Sequence, residues 1–304
     1  MGTPEAAVAT LARCLNDGHE VAAVWTQPDR PSGRGNKLTM SPVKQFAISK
    51  GIPVHQPTKL RNEEAVALFS SYAADVAVVV AYGRILPDPF LNAPRLGCVN
   101  VHFSLLPYYR GAAPVNWAIV RGEHETGVTT MQMDSGLDTG PVFLQSSTVI
   151  GVRETAPELM QRLAAMGANL LSETLKQFGD LEPKPQDGGR ATFAPILKRE
   201  DGQIDFVLDA FQIERRVRGF QPWPGAYTLL DGKRLIIWAA EAVGEGSVGI
   251  DGEVLEANGD RLAISAGDGT VLRVEELQPE GKRRMRVRDF LNGLPLNAGI
   301  QLGK

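Results

Sequence analysis

Apolar and polar positions along the first two thirds of the chain fall into two alternating rhythms. Asp75 to Val80 is an almost unbroken apolar run rich in valine, the pattern of a strand covered on both faces. Gly97 to His102, Val128 to Met133 and Pro141 to Ile150 read as further strands, with Pro114 to Arg121 as a helix between them. This alternation predicts an α/β domain: a mostly parallel sheet with helices on both faces. A longer helix follows. Thr155 and Glu158 have the spacing of a capping box, Pro157 suits the first turn, and Leu159, Leu163, Met166 and Leu170 recur as a core-facing stripe. From Gly179 to Arg190, glycine, proline and charge accumulate, which marks the start of a linker. Beyond it a short helix over Asp209 to Arg218 precedes short strands. Turn signals at Asp231-Gly232, Asn258-Gly259 and Gly267-Asp268-Gly269 give the spacing of a small β-barrel. The expected division is 1–183 for the α/β domain, 184–202 for the linker and 203–304 for the tail.

Composition narrows the class. Hydrophobic residues make up 43% and charged residues 22% of 304, the ordinary balance of a globular chain long enough to bury a core without cross-links. Cys14 and Cys98 form no Cys-x-x-Cys pair, so they read as reduced thiols rather than a disulfide frame or zinc knuckle. No segment has the length and apolarity of a membrane span, and the first residues lack a basic start followed by an apolar run. The expectation is a cytoplasmic monomer with no membrane partner. A formal net charge of −3 excludes a chain coated in positive charge, so nucleic-acid contact would need local basic patches. Gly244 to Gly249 fits the dinucleotide pattern G-x-G-x-x-G, but no helix opens after it, and it reads as a loop. The four histidines, His19, His55, His102 and His124, are scattered, and no metal site is expected.

Candidate chemistry concentrates between Asn100 and Asp138. Asn100 and His102 stand two apart at the end of a strand, which puts both side chains on one face and Val99 and Val101 on the other. Taken alone, Asn-x-His reads sooner as two polar groups satisfying loop backbone at a strand end than as a site. The surroundings weigh towards chemistry. Ser104-Leu105-Leu106-Pro107 stops the strand and starts a loop. Arg110-Gly111-Ala112-Ala113-Pro114 has small residues that would let another molecule approach closely. Met133 to Gly140 carries Asp134 and Asp138, either of which could return to His102. An imidazole beside a carboxylate and an amide donor is a usable set for acyl transfer.

The stretches MGTPE, TQPDRPSGRGNKL, VVVAYGRILP, LGCVNVHFSLLPYYRGAAPVNWAI, ETGVTTMQMDSGLDTGPV and RVRGFQPWPGAY occur in this order across nearly the whole chain. They resemble the folate-dependent formyltransferases, and the GAAP, MDSGLDTG and tail motifs resemble the methionyl-tRNA members in particular. The resemblance implies a Rossmann-like catalytic domain and an OB-like tail. It implies transfer of a formyl group from 10-formyltetrahydrofolate to the α-amine of initiator methionyl-tRNA, with no metal, because the carrier supplies an activated group. Asn100, His102 and Asp138 would be catalytic. Ser104, Leu105, Leu106 and Pro107 would line the folate pocket, with Tyr82, Gly83 and Leu86 as neighbours. The loop from Asp29 to Leu38, with Arg30, Arg34 and Lys37, would meet the tRNA acceptor stem, although without the resemblance it reads as a solvated surface loop. In the tail, Arg215, Arg216 and Arg218, and later Lys282, Arg283, Arg284, Arg286 and Arg288, form two basic clusters able to follow a nucleic-acid backbone. Trp223, between two prolines, reads as a packing anchor. Family members also carry a short apolar strand ahead of the MGTPE turn, so the native chain is expected to start further upstream, with an open sheet position where that strand belongs. Two other readings stand beside this one: a formyltransferase acting on a small amine such as an amino sugar or purine precursor, and an inactive RNA-binding protein on the same scaffold.

Overall fold

The computed structural model describes residues 1–32, 37–244, 246 and 249–303. Arg34 and the neighbouring glycines of its loop lie outside the described residues, as does most of the interior of the Gly244–Gly249 pattern. Contacts divide the chain into two units. One comprises 1–114, 125–149 and 160–195; the other comprises 115–124, 150–159 and the chain from Ile196 on.

The first unit is α/β. Its main sheet runs in the order Ala77–Val79, Cys98–His102, Glu125–Gln132, Val142–Val149. Only the first pair is parallel; the other two are antiparallel. The expected mostly parallel sheet is therefore mixed. The last two strands are joined by the loop 133–141 rather than a crossover helix, and Val142–Val149 alternates half-buried and exposed positions. Such an edge tolerates water on one face, as antiparallel pairing permits. Helices cover both faces of the sheet. Ala77, Val79 and Cys98 pack with Phe69, Leu86 and Phe90. On the opposite face, Val101 and Val128 press on Gly167 of the long helix Ala156–Lys176. Thr155 begins that helix as expected: its backbone N–H and its hydroxyl both donate to Glu158 Oε2, at 2.9 and 2.7 Å.

A separate parallel pair, Val24–Trp25 with Val54–His55, lies beside the main sheet. Gly2 connects the two pieces, bridging to Val80 in parallel and donating its amide to Trp25 O at 3.0 Å. A cavity of about 550 Å³ lies here, its wall including Cys14, Val24 and Val78.

The second unit carries an antiparallel sheet ordered Ala226–Leu230, Lys233–Val243, Thr270–Pro279, Arg261–Ala266, Val254–Asn258, with Met285–Arg286 added on Thr270–Pro279. Asp231 and Gly232 both take positive φ, 50° and 72°, the two-residue hairpin turn that Asp-Gly favours. Asp209 caps the helix Ala210–Gly219, which buries Ile213 and Val217 against Ile237 and Leu272. Trp223 corrects its expectation: it is 54 % exposed, while Phe220, fully buried against Trp117, anchors this turn. Among the described residues no helix is long and apolar enough to cross a membrane.

Candidate active site

The strand Cys98–His102 is buried along its whole length, and Asn100 and His102 are only 9 % and 6 % exposed. Polar groups at that depth need partners. Asn100 pairs in register with Val79 on one side and Met131 on the other, so backbone bonds hold its position from both edges. The chain leaves the sheet at the carboxyl end of this strand, where ligands collect in open α/β folds.

The expected return of a carboxylate from the Met133–Gly140 loop is made by Asp138. Asn100 Nδ2 donates to Asp138 Oδ1 at 3.5 Å, and His102 Nδ1 lies 3.7 Å from Asp138 Oδ2. Asp134 does not take part; its Oδ1 accepts from Gly136 N–H at 3.0 Å and Thr139 Oγ1 at 2.7 Å, closing its own loop. Asp138 holds a left-handed backbone, φ 53°, at a cost of about 1–2 kcal/mol for a residue with a Cβ. Its Oδ2 accepts from Gly111 N–H at 2.7 Å.

The imidazole is oriented by a different group. His102 Nε2 lies 2.9 Å from the Tyr109 carbonyl, which can only accept, so Nε2 carries the proton in the neutral ring. Nδ1 then keeps its lone pair on the side of Asp138 and Asn100. Tyr109 is not legible as a site residue in the sequence because its contribution is a backbone oxygen, offered by a left-handed turn of φ 58°.

The Ser104–Pro107 loop is tied down by residues the sequence did not single out. Thr129 Oγ1 donates to Ser104 O at 2.6 Å and accepts from Leu106 N–H at 3.1 Å, and Gln145 Nε2 donates to Leu106 O at 2.8 Å. Ser104 Oγ donates to Tyr108 O at 2.6 Å. Leu106 is buried, and Leu105 and Pro107 are half-buried. The close approach foreseen at Gly111 is by the chain itself. A Cβ there would sit 2.6 Å from Ala194 O, where the strand Phe193–Ala194 pairs with Arg110–Gly111. Tyr82 and Leu86 follow the neighbouring parallel strand, and their side chains lie in the apolar cluster around Phe90 rather than on an open wall. Gln27 Nε2 donates to Tyr82 O at 3.0 Å and Arg84 Nε to Gln27 Oε1 at 3.0 Å, which fixes the Tyr82–Leu86 segment around Gly83. Burial pushes the Cys98 thiol up to about 11, so it is no nucleophile at neutral pH.

The basic residues divide. Arg30 is exposed on the strand Arg30–Ser32, which pairs with Lys37–Thr39. At the foot of this loop Lys44 Nζ donates to Asp29 Oδ2 at 2.6 Å and holds that carboxyl below the usual range. Lys282 and Arg283 stand exposed in the turn after Thr270–Pro279. Arg218 is instead committed: it pairs with Glu214 at 2.5 Å, donates to Glu154 O at 2.9 Å and is mostly buried. Arg215 packs its guanidinium against Gly122, and burial lowers the pKa of Arg216. Arg284 and Arg288 pair with Glu276 and Asp260. Among the described residues no group of three His, Cys, Asp or Glu is placed to hold a metal ion.

This geometry has known relatives. Residues 1–175 match the formyl transferase family and residues 196–295 its C-terminal domain. The chain belongs to the formyl transferase family. It is 50% identical over 305 residues to methionyl-tRNA formyltransferase of Geobacter metallireducens, covering 100% of this chain and 97% of the relative. It is also 50% identical over 303 residues to the Myxococcus xanthus protein of the same name, covering 99% and 96%. Among solved structures, the sugar 3N-formyl transferase WlaRD, determined in the presence of dTDP and 5-N-formyl-THF, superposes with a TM-score of 0.67. It shares 19% identity, with 93% of this chain and 97% of that one covered. At that identity the likeness concerns the fold.

Proposed function

We propose that this chain transfers the formyl group of 10-formyltetrahydrofolate to the α-amine of initiator methionyl-tRNA. The observation that carries the reading is the convergence of an amide donor, an imidazole with a free lone pair and a carboxylate at one strand end, in a chain half identical along its length to methionyl-tRNA formyltransferases. The donor's formyl carbon is the electrophile. The neutral amine attacks it, the carbonyl oxygen gains negative charge, and Asn100 Nδ2 donates to that oxygen. As the new N–C bond forms, His102 Nδ1 takes the amine proton; the carboxylate of Asp138, 3.7 Å away, supports the resulting imidazolium. The bond to the folate nitrogen breaks, and that nitrogen takes the proton from His102, so charge and atoms balance. Ser104 to Pro107, with the segment from Tyr82 to Leu86, is assigned to folate. Arg30 and Lys37, with Arg34 of the same loop, and Lys282 and Arg283 are assigned to the tRNA backbone. Arg218 retains only a supporting place, because its charge is engaged by Glu214, and so does Arg215, whose guanidinium is packed against Gly122.

We read residues 1–183 as the catalytic domain, 184–202 as the linker and 203–304 as an OB-like tail. Register shifts near Ala239 on its longest strand supply the bending that a small barrel requires. The chain is taken to act as a cytoplasmic monomer. The test is a formyl-transfer assay with 10-formyltetrahydrofolate and, in separate reactions, methionine-charged initiator tRNA, elongator tRNA and amino sugars. Rapid product on initiator tRNA is expected; product on a sugar alone would replace this reading with the small-amine one.

A further inference from the structure

We infer that Gln186 is a positioning residue for Asp138. It lies in a Pro- and Gly-rich stretch that carries no recognisable catalytic signal, yet its side-chain amide is fully engaged next to the site. Its Nε2 donates to Asp138 O at 2.9 Å and to Gly140 O at 2.7 Å. Its Oε1 accepts from Arg110 Nε at 3.1 Å and Nη2 at 2.7 Å. Arg110 is itself buried, and the next residue, Gly111, gives its N–H to Asp138 Oδ2. Asp138 is thus held at two points by one connected set: its carboxylate by Gly111 and its backbone oxygen by Gln186, with Arg110 joining the two. The left-handed backbone of Asp138 is the reason such a clamp is needed. Aspartate visits that region more readily than most residues, yet at a cost, and relaxation would swing the carboxylate away from His102 and Asn100. A glutamine suits the place because one end must donate to two carbonyls while the other accepts from a guanidinium; a carboxylate can do only the second.

The inference rests on the formyl-transfer reading for its kinetic consequence and on geometry alone for its structural one, so the test has two arms. Gln186→Glu keeps a partner for Arg110 and removes both donors to the loop; Gln186→Ala is the companion variant. In the first arm, kcat with 10-formyltetrahydrofolate and methionyl initiator tRNA falls about tenfold or more, while both KM values stay within about threefold. In an Asp138→Ala background the same Gln186→Glu change costs nothing further, because its effect passes through Asp138. A kcat within about twofold of the parent, or an equal loss in both backgrounds, would overturn the inference. In the second arm, hydrogen exchange followed by mass spectrometry needs no activity. Peptides covering residues 133–141 exchange faster in both variants, with the sheet unchanged. Unaltered protection of that loop would also overturn the inference. Loosening of the loop in the variants, together with a parent that formylates no amine, would instead sink the function and spare the clamp.

Discussion

Asn100 is 9 % exposed, yet its hydrogen bond to Asp138, at 3.5 Å, is long, which leaves amide protons for a further acceptor. Losing a donor to a developing oxyanion typically costs about 3 kcal/mol. Asn100→Ala should therefore lower kcat by about a hundredfold or more with the melting temperature nearly unchanged; turnover close to the parent's would remove Asn100 from the mechanism. A second residue carries a pH signature. His55 packs against Trp25 with the rings tilted at 43°, lies 2.6 Å from the Tyr72 hydroxyl, and has its pKa lowered by burial. The folded state thus resists protonating this ring. Its contribution to stability is complete above about pH 6.5, the value in an unfolded chain, and is lost as pH falls through the lower folded value. Thermal melts at pH 7.5 and 5.5 should show a smaller acid-induced drop for His55→Gln than for the parent. Identical drops would show that the ring does not sense pH.

At the scale of elements, the helix Ala156–Lys176 reaches the sheet because Gly167 leaves room for it. A Cβ there would sit 2.7 Å from Val101 Cγ1 and 3.2 Å from Val128 Cγ1. Valine rotamers are stiff, so the sheet cannot yield cheaply. Gly167→Val should lower unfolding free energy by about 1–3 kcal/mol, read from the midpoint of a urea titration. An unmoved midpoint would mean that helix and sheet are packed more loosely than these distances say. Because Val101 stands between Asn100 and His102, the same variant should also lower kcat. The element that carries the polar pair is also the one the helix presses on.

For the whole molecule, charge is the property that matters. The chain is net negative, and three of its tail arginines, Arg218, Arg284 and Arg288, are paired with Glu214, Glu276 and Asp260. Lys282 and Arg283, exposed on one turn, form a local basic patch open to a polyanion. Each phosphate contact releases counterions, so the logarithm of kcat/KM for tRNA should fall linearly against log salt. Replacing Lys282 and Arg283 together by alanine should raise the KM for tRNA and flatten that slope, leaving the KM for folate unchanged. An unaltered slope would move the tRNA contact to another surface.

Local pattern was enough for the strand Cys98–His102, the helix Pro114–Arg121, the capped start at Thr155 and the Asp231-Gly232 turn, because each depends on neighbours a few residues away. Motif resemblance named Asn100, His102 and Asp138, which stand up to 38 residues apart yet meet. Tertiary structure alone decided the mixed pairing of the sheet and the exposure of Trp223, and it folded Asp134 back onto its own loop while Asp138 reached the strand end. It alone set the tautomer of His102 through a backbone carbonyl, and it alone turned Gln186 from a residue of an apparent linker into a clamp. Backbone oxygens and single glutamines leave no periodic trace in a sequence; their meaning comes from what the folded chain brings within 3 Å of them.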